Sequence, residues 1–542
     1  MSIHANPNRQ AALLVGLVAL GVLLRLYGLS EKIVWHDEVA TRVLAAGATL
    51  GAQMQGLYSG QVLTVAQVLQ YQQVQQFSPV FELIMDLARH DPQHPPLYYV
   101  LAKVWVDLWG DSVFALRTLS VVFSALGLLA MYWLMRELTA SRRAAALALL
   151  FMSVSPLFIL YGQEAREYAL WSLALLLSSA ALLRALRLSR SPGSSAYRAW
   201  LLYGGCTLIA IYTSLTTLSL ILVQVLYVAA ITRLRWTRGL QGFIASQCAI
   251  GLLFLPWALN LLRNFEAFSA SMAWSSVIVI PRTAVLRILS LNVTRNVFDF
   301  WPEVMQDQWL PIACSAVCTT AIVFAAVWVF RRTQRETRLY LLLLLVLPTT
   351  LLLVPDLLFG GIRSSNARYL MPVWLGVIAV LALALDQAFA HLESVSASER
   401  FYTGRGVLKA LVWLGVLCVV ALAMATNILH ARQQAPWTKS LSISLPEVAS
   451  IVNQSAHPLI VGNQERHHPG NLFALANLLK PEAKMQFVPI AQESTWTLPE
   501  HQGVVYLYSP TDQFRHALEK NNQVKTRLVA EDLFLQLWVV ED

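Results

Sequence analysis

Long apolar runs separated by short polar segments make up most of the chain as far as residue 429. A helix needs about 20 apolar residues to cross the hydrocarbon core of a bilayer. Eleven runs come close to that length, of which 199–214 is the shortest. The pattern therefore predicts an all-α polytopic membrane protein. Its predicted spans are residues 11–29, 113–135, 144–162, 166–186, 199–214, 216–232, 240–260, 309–330, 339–355, 369–390 and 407–427.

A further apolar segment, residues 95–110, is not counted among these spans because it is short, charged and rich in aromatic residues. Its sequence, PPLYYVLAKVWVDLWG, is 16 residues long, contains Lys103 and Asp107, and is rich in aromatic residues. Aromatic side chains favour the boundary between lipid and water. We therefore expect an interfacial helix here, and this assignment decides the sidedness of everything downstream.

Basic residues indicate which connections face the cytoplasm. With the N-terminus inside, arginines and lysines cluster in every second connection, as the positive-inside rule requires. The net charge of +9 is thereby explained by membrane orientation, and we expect no nucleic-acid partner. The segments predicted on the non-cytoplasmic face are 30–112, 162–166, 261–308, 356–368 and 430–542.

The composition of the chain changes sharply near residue 430. Short β-rich runs, such as LIVGN at 459, QFVPI at 486, GVVYLYS at 503 and LFLQLWVV at 533, alternate with helix-like segments at 445 and 471. This alternation predicts a small α/β domain. We therefore predict a transmembrane domain over 1–429, which includes a first outer loop at 30–112, and a soluble domain over 430–542.

Composition supports this division and excludes several classes of protein. Hydrophobic residues make up 56% of the chain and charged residues only 13%, whereas soluble domains carry about 25% charged residues. Membrane lipids are therefore expected to surround most of the chain. The five cysteines lie in apolar runs, so no disulfide framework is predicted. No P-loop or dinucleotide fingerprint stands at a credible position, which argues against a nucleotide-driven pump.

The first outer segment begins with two adjacent carboxylates, Asp37 and Glu38, within WHDE. Neighbouring carboxylates at a membrane surface repel each other and gain from a counter-cation or from holding a proton. A general-base site is one interpretation. The other is a solvated pair where one helix ends and the next begins.

Two further groups of charges are predicted on the same face. Glu164 and Arg166 lie in a turn with almost no loop, where they either serve chemistry or lock two helix ends together. Arg363 and Arg368 precede a late span and are suited to holding a phosphate, although arginines at an interface can also snorkel. Because the positive-inside rule disfavours arginine on this face, we favour the binding role.

Histidines raise the question of a metal. His36 adjoins the two carboxylates, and His467 and His468 lie in the tail, but neither group has the spacing of a recognised zinc site. A divalent cation held by Asp37, Glu164 and a lipid phosphate is the metal site that we consider. No other cofactor is predicted.

Several motifs occur in an order that resembles a known family. They are WHDE after the first span, HPPLYYVLAKVWVDLWG, SVFALRTLSVVFSALGLLAMYWLMREL, YGQEAREYAL, and ARYLMP before a late span. The pattern resembles the bacterial branch of the protein O-mannosyltransferase-like family, glycosyltransferase family 39 in the GT-C superfamily, which includes the lipid A aminoarabinose transferases. The resemblance covers roughly residues 10–390.

This resemblance implies an enzyme of the bacterial inner membrane with a periplasmic tail. The expected reaction is inverting transfer of a sugar from a polyprenyl-phosphate donor to a hydroxyl group of a lipid, glycan or protein. Asp37 would be the base, Glu38 would lie beside it, and Glu164 would be a second acid. Where many relatives have Tyr-Thr-His, this chain has Tyr-Thr-Ser at 212–214, which marks a different substrate subgroup. The residues expected to bind the donor phosphate or substrate are His94, Tyr98, Arg166, Arg363, Arg368 and Tyr369.

Two other functions predict different features of the sequence. A transporter or flippase of lipid-linked sugars should carry charges near the middle of the membrane and an inverted repeat. In this sequence the charges gather at one face and no repeat is visible. A non-catalytic receptor that uses the tail for binding would not need Asp37.

Overall fold

The computed structural model describes residues 7–74, 79–191, 195–300, 309–398, 404–463, 469–499, 503–532 and 535–541. The chain divides into two compact units. We call Met1–Tyr27, Asp91–Tyr98 and Ser120–Ala431 the membrane unit. We call Gly28–His90, Tyr99–Leu119 and Arg432–Asp542 the α/β unit. The tail histidines His467 and His468 lie outside the described residues.

Helices make up the membrane unit. Each of the eleven predicted spans coincides with a helix or with a pair of helices joined at a break. The helices are α1 (Pro7–Leu26), then, after five that belong mainly to the α/β unit, α7 (Val113–Thr139), α8 (Arg142–Val154), α9 (Pro156–Gly162), α10 (Tyr168–Arg190), α11 (Tyr197–Thr213), α12 (Thr217–Thr232), α13 (Arg238–Arg263), α14 (Phe265–Val277), α15 (Arg282–Thr294), α16 (Trp309–Arg332), α17 (Arg335–Phe359), α18 (Met371–Ser398) and α19 (Gly404–Arg432).

Length and hydropathy identify the helices that can cross a membrane. Within the described ranges, seven helices pass both criteria, and the number rises to nine if two bent helix pairs each count as one span. Two further apolar stretches are shorter, namely Ala11–Leu26 within α1 and Thr217–Thr232, which is α12. The chain is thus a polytopic, mainly helical membrane protein, as the hydropathy pattern predicts.

The first bent pair, α8 and α9, turns by 60° at the predicted span 144–162. Pro156 has no N–H to donate to the carbonyl of Met152, which lies four residues earlier. The N–H of Leu157 donates instead to the carbonyl of Arg295, at 3.1 Å. The buried guanidinium of Arg25 donates to the carbonyls of Met152 and Ser153, both at 3.1 Å. A cation from α1 therefore caps the broken helix end.

The second bent pair, α14 and α15, lies in the segment 261–308, which hydropathy assigned to an outer loop. Its two helices meet at 99° and together are apolar enough to be a broken span or a re-entrant loop. A bend of that size allows the chain to enter and leave by the same face. A re-entrant pair would keep the sidedness predicted for the later helices.

The α/β unit contains the remaining elements, which come from both ends of its sequence. Four of its strands were predicted, at 459, 486, 503 and 533, while β1 and β5 were not. The elements are α2 (His36–Ala46), α3 (Leu50–Leu57), β1 (Val62–Thr64), α4 (Val65–Leu69), α5 (Val80–His90), α6 (Leu97–Trp109), α20 (Leu445–Val452), β2 (Leu459–Asn463), α21 (Pro469–Ala476), β3 (Lys484–Val488), β4 (Val505–Tyr508), α22 (Asp512–Asn522), β5 (Lys525–Glu531) and β6 (Gln536–Glu541).

One six-stranded sheet forms the centre of this unit, in the order β1-β3-β2-β4-β6-β5. The strands β3, β2 and β4 are parallel, and the outer strands pair antiparallel. All residues of β2 are buried, as expected for a parallel strand covered on both faces. Helices α2, α4, α20 and α21 contribute side chains to the core on one face, and α22 contributes Phe514 and Leu518 on the other.

The segments that form this unit differ from those of the predicted domains. Residues 30–112 were assigned to the transmembrane domain, whereas most of them pack here with the tail. Val39 and Val43 of α2 share a core with Leu472 and Phe473 of α21. Strand β1 also adds to the edge of β3, with Val62 opposite Gln486. Local sequence does not reveal this association because its partners are far apart along the chain.

The predicted interfacial helix is present as α6, 13 residues long. Its faces differ: Lys103 is buried and bonded to Asp107, whereas Leu108 and Trp109 are largely exposed. Such an amphipathic helix suits a membrane surface. Its position at the interface stays a prediction.

Candidate functional site

The turn between α9 and α10 is anchored to the end of α1. The side-chain amide of Gln163 donates to the carbonyls of Arg25 and Tyr27, at 3.2 and 2.9 Å. The charged residues that follow, Glu164, Arg166 and Glu167, are all buried. Buried charges are tolerated when they are paired and hydrogen-bonded. This turn is therefore a buried cluster of polar and charged side chains and not a solvated loop.

Arg166 lies at the centre of a row of charged and polar groups. Its Nε is 3.1 Å from Oε2 of Glu167, and its Nη2 is 3.0 Å from Nε2 of His94. The Nδ1 of His94 is in turn 2.7 Å from Oδ2 of Asp91. The structure thus brings together two residues that were predicted separately, His94 and Arg166, and adds the carboxylates of Asp91 and Glu167.

The two neighbours of His94 favour different protonation states. Burial lowers its pKa, but the charge of Asp91 and its hydrogen bond outweigh burial, so the pKa is raised overall. Arginine can only donate, so its contact with Nε2 requires the unprotonated nitrogen. Asp91 thus favours the protonated ring, whereas Arg166 opposes it.

Tyr98 is connected to this cluster through Ser120. Its hydroxyl is 2.9 Å from Oγ of Ser120, and Ser120 donates to the backbone carbonyl of Arg166, at 3.5 Å. Tyr98 is completely buried. This position favours a role in holding the turn over the predicted contact with substrate.

A second cation, Arg368, lies near the same turn within the membrane unit. It donates to the hydroxyl of Tyr168, at 3.4 Å, and its guanidinium carbon is 5.7 and 5.5 Å from the ring centres of Trp274 and Tyr369. Aromatic faces stabilise a guanidinium while leaving its edge available for an anion. The predicted role of Arg368 and Tyr369 in binding the donor stays a prediction.

Tyr161 links this cation to Glu164. The Tyr161 hydroxyl is within electrostatic range of Glu164, Arg368 and Arg295. Sequence reasoning missed Arg295, which is buried 3.4 Å from Asp299. The positive-inside rule could have indicated it only as one of four arginines in the segment 261–308.

Arg363 is engaged within its own loop. It donates to Oδ1 of Asp356, at 2.9 Å, and to the carbonyl of Gly360, at 3.1 Å. The other carboxylate oxygen of Asp356 accepts from Ser364 N–H and Oγ–H, both at 2.7 Å. These contacts favour a loop-stabilising role for Arg363 over the predicted binding of phosphate.

The two adjacent carboxylates belong to the α/β unit and have different surroundings. Glu38 is 1% exposed and accepts two bonds from Arg117, at 2.9 and 2.7 Å, and a third from Lys439, at 3.3 Å. Such pairing makes Glu38 a poor proton acceptor and favours a structural role over the predicted catalytic one. The solvated-pair interpretation does not fit it either.

Asp37 is the more accessible of the two. Its side chain is 19% exposed, and its Oδ1 lies 3.3 Å from Nε2 of His36. A partly exposed carboxylate beside an imidazole can take a proton from a hydroxyl group. Of the two predicted carboxylates, Asp37 thus has the surroundings that a base requires.

The part of the chain that the structure describes contains no group of three or more His, Cys, Asp or Glu side chains placed to hold a metal ion. A lipid phosphate would have to complete any site built on Asp37 or Glu164. The divalent cation stays a prediction.

Residues 93–259 match the model of the dolichyl-phosphate-mannose-protein mannosyltransferases, a segment that contains His94, Glu164 and Arg166. No curated protein sequence matches the chain.

The fold is similar to that of ArnT from Cupriavidus metallidurans bound to undecaprenyl phosphate, with a TM-score of 0.52 and 15% identity over 97% of both chains. It is also similar to the oligosaccharyltransferase of Archaeoglobus fulgidus in its apo form, with a TM-score of 0.52 and 12% identity over 90% of this chain and 65% of that one.

Proposed function

We infer the function of this chain from its place in the GT-C superfamily of membrane glycosyltransferases, to which the matched family segment and the shared fold assign it. We propose that it transfers a sugar from a polyprenyl-phosphate carrier to a hydroxyl acceptor. The cluster of His94 and Arg166 within the matched segment is the observation that carries this proposal. The similar ArnT structure, which holds undecaprenyl phosphate, supports a carrier of that class.

The proposed reaction exchanges one bond at the anomeric carbon for another. The acceptor oxygen attacks that carbon from the face opposite the phosphate, and the bond to the phosphate oxygen breaks with its electron pair. The configuration therefore inverts. The products are the glycosylated acceptor and the polyprenyl phosphate, and the proton of the hydroxyl passes to a base.

The buried cations serve the leaving group in this proposal. Negative charge builds on the phosphate as the bond breaks, and fixed positive charges stabilise it without having to reorganise. Arg166 and Arg368 supply these charges, and His94 adds a third once it is protonated. Glu167 keeps Arg166 oriented when no donor is bound, and Glu164 stays the proposed second acid.

Asp37 is the proposed base. General-base help is typically worth about 10²- to 10⁴-fold in rate. Glu38 would stabilise the fold around Asp37 and would not itself accept the proton of the hydroxyl. The acceptor hydroxyl belongs to a lipid, a glycan or a protein.

We place the reaction on the non-cytoplasmic face of a bacterial inner membrane, with the N-terminus in the cytoplasm and the α/β unit outside. The basic connections between the spans support this orientation. Labelling of single introduced cysteines with a membrane-impermeant reagent would test it.

The decisive experiment is transfer of radiolabelled sugar from a panel of polyprenyl-phosphate donors by the purified protein in lipid vesicles. We expect Asp37→Asn to lose about a hundredfold or more in rate while still binding donor. The exposed Asp512 offers a matched control, Asp512→Asn, which should retain the wild-type rate.

Equal transfer by Asp37→Asn and the wild type would remove Asp37 from the mechanism. If the wild type transferred no sugar from any donor but moved lipid-linked sugar across the vesicle membrane, the transporter interpretation would replace this one.

A further inference from the structure

The tail of the chain contacts the residues on both sides of Asp37. Lys439 and Ser442 belong to the segment Trp437–Ser442, and both are buried in the α/β unit. Lys439 is 3.3 Å from Glu38 and lies 5.5 Å from the ring centre of Trp35. Ser442 contacts His36. This short segment therefore holds the residues that precede and follow the proposed base.

The contact between Ser442 and His36 is double. The backbone N–H of His36 and its ring nitrogen Nδ1 each lie 3.1 Å from Oγ of Ser442. Ser442 in turn donates to Oδ1 of Asn471, at 2.5 Å. The orientation of Asn471 is set because its Nδ2 donates to the carbonyl of Leu441, at 2.9 Å.

Counting protons determines the direction of these bonds. A serine hydroxyl has one hydrogen, and Ser442 gives it to Asn471. Its oxygen must therefore accept from His36, so Nδ1 of His36 carries a hydrogen. The ring is held in one orientation, in which Nε2 faces Oδ1 of Asp37 at 3.3 Å.

The backbone around this contact is close-packed and strained. A Cβ on Gly470 would lie 2.6 Å from the carbonyl oxygen of His36, so the first turn of α21 can approach only with glycine there. Ser440 adopts φ 47° and ψ −119°, a conformation that non-glycine residues rarely adopt. Strain of this kind persists where surrounding contacts over-determine the backbone.

From this chain of contacts we infer that Ser442 is a positioning residue for Asp37, which acts by fixing the ring of His36. Asn471 orients Ser442 in turn. The inference rests on the proposed function, since it assumes that Asp37 is the base. It makes the tail a working part of the catalytic apparatus and not only a cover or an acceptor-binding module.

The test compares Ser442→Ala, Ser442→Thr and the matched control Ser494→Ala, which changes an exposed serine of the same unit. We expect Ser442→Ala to lower kcat by about a hundredfold, the size of effect that a misplaced catalytic group can have, with the KM for donor unchanged. Threonine keeps the hydroxyl and should restore most of the rate. Rates are compared at equal folded fraction, measured by thermal melting.

A second measurement does not depend on turnover. Carbodiimide modifies accessible carboxyl groups, and mass spectrometry can follow its rate at Asp37. We expect Ser442→Ala to change that rate while Ser494→Ala does not.

An unchanged kcat and labelling rate in Ser442→Ala would overturn the inference, as would a loss of activity that only follows the folded fraction. Failure of the proposed function is distinguishable, because the wild type would then transfer no sugar. The labelling rate would still decide whether Ser442 positions Asp37.

Discussion

At the level of single residues, the protonation state of His94 should affect how tightly the proposed donor binds. Asp91 raises its pKa above the ordinary value despite burial, while Arg166 occupies Nε2. The ring is charged below this raised pKa and neutral above it. The phosphodiester of the donor keeps its single negative charge over this pH range. Any change of donor affinity with pH therefore comes from titration of a group on the protein.

We therefore expect the KM for donor to rise as the pH increases through the pKa of His94, because the cation that attracts the phosphate is lost. Asp91→Asn removes the group that raises this pKa, so the rise in KM should move to lower pH. Steady-state kinetics across a pH series, with Asp512→Asn as the control, would measure the shift. An identical midpoint in all three proteins would contradict it.

Glu38 provides a second prediction at this scale. Glu38→Gln leaves Arg117 and Lys439 buried without their counter-charge, and breaking a buried ion pair from one side costs about 3–5 kcal/mol. We expect a marked drop in the free energy of unfolding, measured by chemical denaturation. Glu482→Gln, at an exposed position, should change little. A fully stable but inactive Glu38→Gln protein would instead indicate direct catalysis by Glu38.

At the level of secondary-structure elements, the break between α8 and α9 delivers Tyr161 and Glu164 to the candidate site. Pro156 causes the break, and Arg25 from α1 satisfies the carbonyls that it exposes. Asn427 of α19 donates to the next carbonyl, that of Val154, at 2.8 Å. Polar residues inside predicted spans thus have a structural purpose here, which hydropathy alone does not show.

Arg25→Leu should destabilise the membrane unit, since each buried carbonyl left without a donor costs about 1–3 kcal/mol. We expect a lower melting temperature in detergent and reduced transfer at temperatures where the wild type is still folded. Arg198→Leu makes the same substitution at an exposed position and is the control. Equal melting of both variants would show that the cap contributes nothing to stability.

At the level of the whole molecule, the α/β unit is assembled from a segment near the start of the chain and one at its end. The apolar faces of α2 and α4 pack into the same core as α20 and α21. Neither segment contains the complete core. Folding of the first outer segment is therefore expected to depend on the tail.

Deletion of residues 432–542 tests that dependence. It would expose Val39, Val43, Val65 and Val68, so we expect rapid proteolysis within residues 28–90 and complete loss of transfer. Supplying the tail as a separate chain should restore protection only if the two parts can still associate. A truncated protein that resists proteolysis and remains active would contradict the shared core.

Much of this protein could be predicted from the sequence, because the relevant information is local. Apolar runs long enough to cross a bilayer predicted the helices of the membrane unit other than α14 and α15, and alternating β-rich runs indicated β2, β3, β4 and β6. Arginines that departed from the positive-inside rule indicated Arg363 and Arg368 as candidates, and a turn with almost no loop indicated Glu164 and Arg166. Only tertiary structure decided which partners these charges have. It paired Glu38 with Arg117 and Lys439, and it joined His36 to Ser442, which lies 406 positions further along the chain. Contacts over such distances leave no local pattern, because they depend on how the whole chain packs.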